Sequence, residues 1–178
     1  MMNQIFIIIL MFLTACGGNK NIETNRITNE EQTFLLTDST YVIFEYDSAE
    51  HWFFENSIPT SLSDIELIEI EKIIDNAIYL HNKKESERLA KINSKNPKNQ
   101  MTETGSELHK EGFMRQYVPV INVKGEKEVW INFFCFDWNS DYWKSKIMIV
   151  DDGGNCFYNI KVNLKSKTFY DLRINGNA

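Results

Sequence analysis

The feature that most limits how this chain can fold is a strict alternation over residues 156–164. Cys156, Tyr158, Ile160, Val162 and Leu164 interleave with Phe157, Asn159, Lys161 and Asn163. Successive side chains of a strand point to opposite faces, so this segment has one buried face and one largely wet face. Strand-like runs surround it at 117–124, 128–136, 146–150 and 169–175. They are separated by turn-forming pieces at Gly125-Glu126, Asp151-Asp152-Gly153-Gly154 and 165–167. Short connections between consecutive strands make hairpins, so the C-terminal half is expected to be an antiparallel meander.

Such a sheet needs a cover, and one segment supplies it. Ser63 is a candidate N-cap, and Glu66 stands at the capping-box position. Leu62 and Leu67 have the spacing of a hydrophobic staple. Leu67, Ile70, Ile74, Ala77 and Ile78 recur at helical intervals, widened by Ile68 and Ile73, with Glu69, Glu71, Lys72 and Asp75 between them. The acidic start and the later His81, Lys83 and Lys84 suit the helix dipole. A helix is expected over 63–82; residues 85–92 could extend it, but nothing there demands burial. The fold class is therefore α+β: one main amphipathic helix packed on an antiparallel meander of five or six strands. The segment 41–46 (YVIFEY) adds an earlier strand, and His51, Trp52, Phe53 and Phe54 follow in a loop whose aromatic side chains tuck into the core. From 83 to 112 the chain is polar and contains Asn96-Pro97 and Gly105-Ser106. It reads as a long exposed insertion, partly mobile, since connections of this length are uncommon in compact domains.

The N-terminal end has a different character. Residues 5–13 (IFIIILMFL) form an apolar run well short of the roughly 20 residues that span a bilayer. It has the length of a signal-peptide core. The following Leu13-Thr14-Ala15-Cys16 resembles the bacterial lipobox, although Met1 to Gln4 carries no Lys or Arg. The resemblance implies that 1–15 is a lipoprotein signal peptide and that Cys16 is lipidated and becomes the first residue. Two or three acyl chains would make attachment permanent. Gly17 is not the aspartate that marks inner-membrane retention in some sorting systems, so the outer membrane is favoured over the inner. Residues 16–32 are then the lipidated cysteine and a polar tether, and 33–178 a single domain. An ordinary secretory signal, or an uncleaved anchor, would leave Cys16 incidental. The formal charge of −6 lies wholly after residue 15. An acidic chain of this kind lacks the basic face that nucleic acid requires.

The stretches RQYVPVINVKGEKEVWINFFC, DDGGNCFYNIKVNL and DLRINGNA, within 115–178, are similar to a family of small bacterial lipoproteins without an assigned activity. That resemblance implies an envelope location and brings no catalytic residues. The helix-then-meander order is also similar in architecture to cystatin and NTF2-like folds, but the cystatin QxVxG turn is absent. Fold alone does not imply function.

Several residues invite a site. Cys135 and Cys156 are the only cysteines besides Cys16. An exported chain favours a disulfide, but a meander with the 146–150 strand between them would hold their Cα atoms apart, whereas a bridge needs about 7 Å or less. Two buried free thiols are expected. Asp151, Asp152 and Asn155 suggest a calcium loop, but calcium takes six to eight oxygens, and an ordinary hairpin turn accounts for Asp and Gly there. His51, His81 and His109 are scattered, and no HExxH, GxSxG or phosphate loop occurs. Trp130, Phe134, Phe136 and Trp138 share one strand face, opposite Val129, Ile131, Phe133 and Cys135, and Trp143 follows. These aromatics either pack beneath the 83–112 insertion or the 41–46 strand, or form a concave surface for a peptide or glycan.

Three functions follow from this reading. The first is a non-catalytic binding or interaction module, held at the cell envelope by Cys16 and using Trp130, Phe134, Phe136, Trp138 and Trp143 for a peptide, a glycan or an envelope protein. The second is an envelope-located inhibitor or immunity-type protein. The third, least supported, is a hydrolase pairing Cys135 or Cys156 with His51. No catalytic residue, metal or cofactor is assigned.

Overall fold

The computed structural model describes residues 40–135 and 141–176, all within the unit Thr33–Ala178. The expected signal segment 1–15, Cys16, the expected tether up to residue 32, Phe136 and Trp138 lie outside the described residues. The fold is α+β: a six-stranded mixed sheet, mostly antiparallel, with one main helix. The strands are β1 (Tyr41–Ile43), β2 (Ile58–Pro59), β3 (Met114–Ile121), β4 (Lys127–Phe134), β5 (Phe157–Asn163) and β6 (Thr168–Ile174). Their order is β1-β3-β4-β5-β6, with β2 also paired to β3. The β3 to β6 ladder is the expected meander. The early strand is shorter than expected and pairs with β3 in parallel, through Tyr41 opposite Arg115.

The helix α1 (Asp64–Lys95) begins where its signals say it should. The Glu66 N–H donates to Ser63 Oγ, and the Ser63 N–H donates back to a Glu66 carboxylate oxygen at 2.9 Å, closing a capping box. Its apolar stripe of Leu67, Ile70, Ile73, Ile74 and Ala77 packs on Tyr117, Val129, Ile131, Phe133, Tyr158, Ile160 and Val162. Those are the inward side chains of β3, β4 and β5. Glu71 breaks the apolar pattern yet is buried, because the Arg115 guanidinium lies 2.6 Å from its carboxylate.

The helix runs well past the expected end at residue 82. The polar segment after it is not an exposed insertion throughout. It folds back along α1 and is pinned by helix side chains. Asn93 both donates to and accepts from the backbone of Met101, and Asn82 does the same with Leu108. Glu85 accepts the Thr104 hydroxyl at 2.5 Å, and the His81 ring meets the Ser106 carbonyl at 2.7 Å. Leu108 is thereby buried in the main core. Among the described residues, no helix is long and apolar enough to cross a membrane.

The segment 146–150 is not a strand of the sheet, and this overturns the expectation of free thiols. With nothing between them, β4 and β5 pair directly, Phe134 opposite Phe157. The ladder continues one step, with the Cys135 N–H donating to the Cys156 carbonyl at 3.1 Å. Cys135 and Cys156 therefore face each other, with Cα atoms 5.1 Å apart, and form a disulfide. The glycine turn before β5 is not a hairpin between two strands either. Gly153 has φ 101°, and a Cβ there would stand 2.6 Å from the Phe157 ring, so only glycine fits.

Candidate functional site

The outer face of the sheet, away from α1, decides where a ligand can go. Two segments cover part of it. Residues 44–54 bring Tyr46, Phe53 and Phe54 onto Val118, Val120 and Trp130. Residues 141–150 bring Trp143, Met148 and Val150 onto Phe134 and Phe157. Two polar side chains hold the second cover in place. Gln116 and Asn132 stand opposite each other on β3 and β4. Gln116 donates to the carbonyls of Trp143 (2.6 Å) and Lys146 (2.8 Å) and accepts the Met148 N–H (2.8 Å). Asn132 donates to the Met148 carbonyl at 2.8 Å. Side-chain amides thus satisfy the backbone groups that a neighbouring strand would otherwise have met.

This changes the status of the aromatic candidates. Trp130, Phe134 and Trp143 are 5%, 0% and 3% exposed, so all three are core residues under these covers. They do not form an open concave face. Neither the return segment after α1 nor β1 alone is the cover: Trp130 lies under Phe53, with ring centroids 4.0 Å apart. In the aromatic loop, His51, Phe53 and Phe54 are buried as expected, but Trp52 is 65% exposed.

The covers leave the part of β5 carrying Asn159 and Lys161, and the facing part of β6, open, and a cleft of about 440 Å³ lies there. One wall is the loop carrying Trp52, Phe53, Phe54, Glu55 and Ser57. The floor is Trp130, Asn159 and Lys161, and the far side is Asp171 and Arg173, with Asn122, Val123 and Glu128 at one end. A smaller space of about 170 Å³ adjoins it, sharing Trp52, Phe53, Trp130 and Asn159. The volume is within the usual range for small-molecule sites, about 300–1,000 Å³.

The cleft's polar side comes from a local irregularity. The pairing of β5 with β6 shifts between Asn159 and Lys161, and Asp171 takes φ 53°. A bulge of this kind re-aims a side chain. Here Phe169 and Leu172 pack toward the helix side, while Tyr170, Asp171 and Arg173 are left to the outer face. Asp171 receives Lys161 at 3.1 Å and Arg173 Nε at 2.7 Å. Burial alone would raise the Asp171 carboxyl; its bonds to Arg173 and Lys161 outweigh that and hold it below the usual carboxylate range. The Lys161 ammonium also lies over the rings of Phe54 (5.3 Å) and Tyr170 (5.7 Å). Glu128 accepts the Tyr170 hydroxyl at 3.0 Å. Against this braced background, the Asn159 amide and the terminal nitrogens of Arg173 have no protein partner among the described residues and border the cleft.

The other candidates separate from this site. Both sulfurs of Cys135 and Cys156 are in the disulfide, so neither is available as the thiolate a Cys–His hydrolase needs. His51 Nδ1 accepts the Asp47 N–H at 2.9 Å, and its ring stacks on Phe53. It sits beside a separate open depression of about 860 Å³ with Tyr46, Lys146 and Ile147. Burial lowers the His51 pKa, against the opposing pull of Glu50 and Asp47. Asn155 of the suggested calcium loop donates to the Glu107 carbonyl instead, and among the described residues no group of three or more His, Cys, Asp or Glu is placed to hold a metal. The sequence does not mark Trp52 as a surface residue, nor single out Asn159, Lys161, Asp171 or Arg173 as site residues. The polar half of the 156–164 alternation was a usable signal for two of them.

Comparison of the chain with protein-family models, with curated proteins and with solved structures finds no match.

Proposed function

We propose that the protein is a non-catalytic binding module of the cell envelope, anchored by lipid at Cys16 and engaging its ligand in the cleft between Trp52 and β6. The observation that carries this reading is the cleft itself: an exposed tryptophan wall facing polar groups that other side chains brace but do not satisfy. Ligand sites typically combine apolar walls with a few oriented polar groups. The envelope part rests on Leu13-Thr14-Ala15-Cys16 behind its apolar run. The Cys135–Cys156 disulfide supports it, since such bonds persist in oxidising compartments.

The test has two arms. Cells expressing the chain are labelled with radioactive palmitate, with and without Cys16→Ser; label is expected only with Cys16 present. The detergent-solubilised chain is then immobilised and its retention of isolated envelope material compared with that of Trp52→Ala and Arg173→Ala. Both variants are expected to lose retention at unchanged melting temperature. Equal retention by all three would place binding elsewhere.

A further inference from the structure

Resting on the binding reading above, we infer that the ligand class of the cleft is carbohydrate: a pyranose-based glycan that lays a ring face on Trp52 and meets Asn159 and Arg173 with its hydroxyls. Three observations lead there. The wall presents the exposed, planar indole of Trp52, and the exposed Val123 also lines the cleft. A sugar ring offers an apolar C–H face and a rim of hydroxyls, each both donor and acceptor, so it needs a plate next to fixed polar groups. Asn159 supplies a donor and an acceptor, and Arg173 supplies donors in a planar fork.

The second observation is charge. The acidic groups Glu55, Glu128 and Asp171 share the cleft with the basic groups Lys161 and Arg173. Lys161 is bound to Asp171 and capped by two rings. With three carboxylates against two cations the lining carries a net charge of −1, a small imbalance that gives little purchase to a strongly anionic or cationic ligand and suits an uncharged one.

The third concerns the chief competitor, an extended peptide. The usual way for a sheet to take one is strand addition along a free edge, using the main-chain ladder. The free edge beside this cleft is β6. Its ladder is interrupted at Asp171, where the backbone turns to φ 53°, and Asp171 and Arg173 place charges at and just after the break. Bulges and charges of this kind block edge pairing. A glycan needs no backbone ladder and is unaffected.

The test uses the full chain in detergent and two sets of probes: triacetylchitotriose, cellotriose and maltotriose, and a mixture of extended hexapeptides. Binding is read by calorimetry and by tryptophan fluorescence, in wild type, Trp52→Ala and Asn159→Ala. At least one trisaccharide is expected to bind, and each substitution to weaken it about tenfold or more, a loss of ~1.4 kcal/mol, with the melting temperature unchanged. Binding of peptides but of no trisaccharide, abolished by Trp52→Ala, would overturn the carbohydrate inference and leave the cleft as a binding site. No binding of either set would overturn both. A trisaccharide that binds all three proteins equally would place the sugar outside the cleft and overturn the inference.

Discussion

Phe53 and Trp130 stack face to face, with ring centroids 4.0 Å apart and planes 12° from parallel. One ring belongs to a loop and the other to a central strand. Their contact fastens the loop to the sheet, and it sets Trp52, the residue before Phe53, at the lip of the cleft. Neighbouring aromatic residues therefore have opposite duties, and substitution separates them. Phe53→Ala is expected to lose about 3–5 kcal/mol of stability, the usual loss for a buried ring. Trp52→Ala is expected to stay within about 0.5 kcal/mol of wild type, as surface changes do. Urea unfolding of the two variants checks this.

The Cys135–Cys156 bridge closes a loop of sequence separation 21 that includes the cover segment 141–150. Limiting that loop in the unfolded chain is worth about 3 kcal/mol. The double variant Cys135→Ala with Cys156→Ala is expected to unfold at lower urea by that amount. Alkylation of the unreduced, denatured protein, read by mass spectrometry, is expected to leave both cysteines unmodified. Their quantitative alkylation would restore the free-thiol expectation.

Glu71 is enclosed by two cations and a hydroxyl. Arg115 approaches one carboxylate oxygen at 2.6 Å and Tyr117 the same one at 3.3 Å, while Lys110 reaches the other at 3.3 Å. Removing the carboxylate takes the nearest counter-charge from a guanidinium that is only 1% exposed, leaving its bond to the Lys110 carbonyl. Glu71→Ala is therefore expected to cost about 3–5 kcal/mol. Glu71→Leu combined with Arg115→Met removes both charges and is expected to cost less than the single change, because a buried ion pair and an apolar pair of similar volume are often near parity. Thermal unfolding of the three proteins measures the difference.

His51 gives the fold a pH response. Its Nδ1 accepts a backbone N–H, which a protonated ring cannot do. Burial lowers its pKa below the ordinary 6.5, with Glu50 and Asp47 opposing the shift. Between the lowered value and 6.5 the unfolded chain binds more protons than the folded one, so stability rises with pH across that window. Above 6.5 the contribution is complete; acidification through the window removes it. The urea midpoint of wild type is expected to fall between pH 7.5 and 5, and that of His51→Phe to stay flatter over the same range, above where the carboxylates titrate.

The sequence exposes those parts of this structure that depend on short-range pattern. The capping box at Ser63 and Glu66, and the inward set Tyr158, Ile160 and Val162, are read directly from spacing. The two faces of β4 also come out correctly, because alternation is a local property. What escapes is set by partners distant in the chain. Residues 146–150 have strand composition, yet their backbone is met by Gln116 and Asn132 side chains, which no local rule anticipates. The helix extends because Asn82 and Asn93, about three turns apart on one face, clamp the returning chain; that spacing is legible once a return segment is suspected. The cleft is the least legible part. It exists only where two loop covers end, and its polar side depends on a bulge at Asp171 that nothing in Tyr170-Asp171-Leu172 announces.

We propose that the cleft between Trp52 and β6 is where this protein holds its ligand. Hydrogen exchange of the full chain in detergent, with and without the oligosaccharide and peptide panel, tests it most directly. The account predicts added protection in peptides spanning 52–57 and 159–173, and none along α1. Protection confined to α1 and its return segment, or no change with any probe, would contradict it.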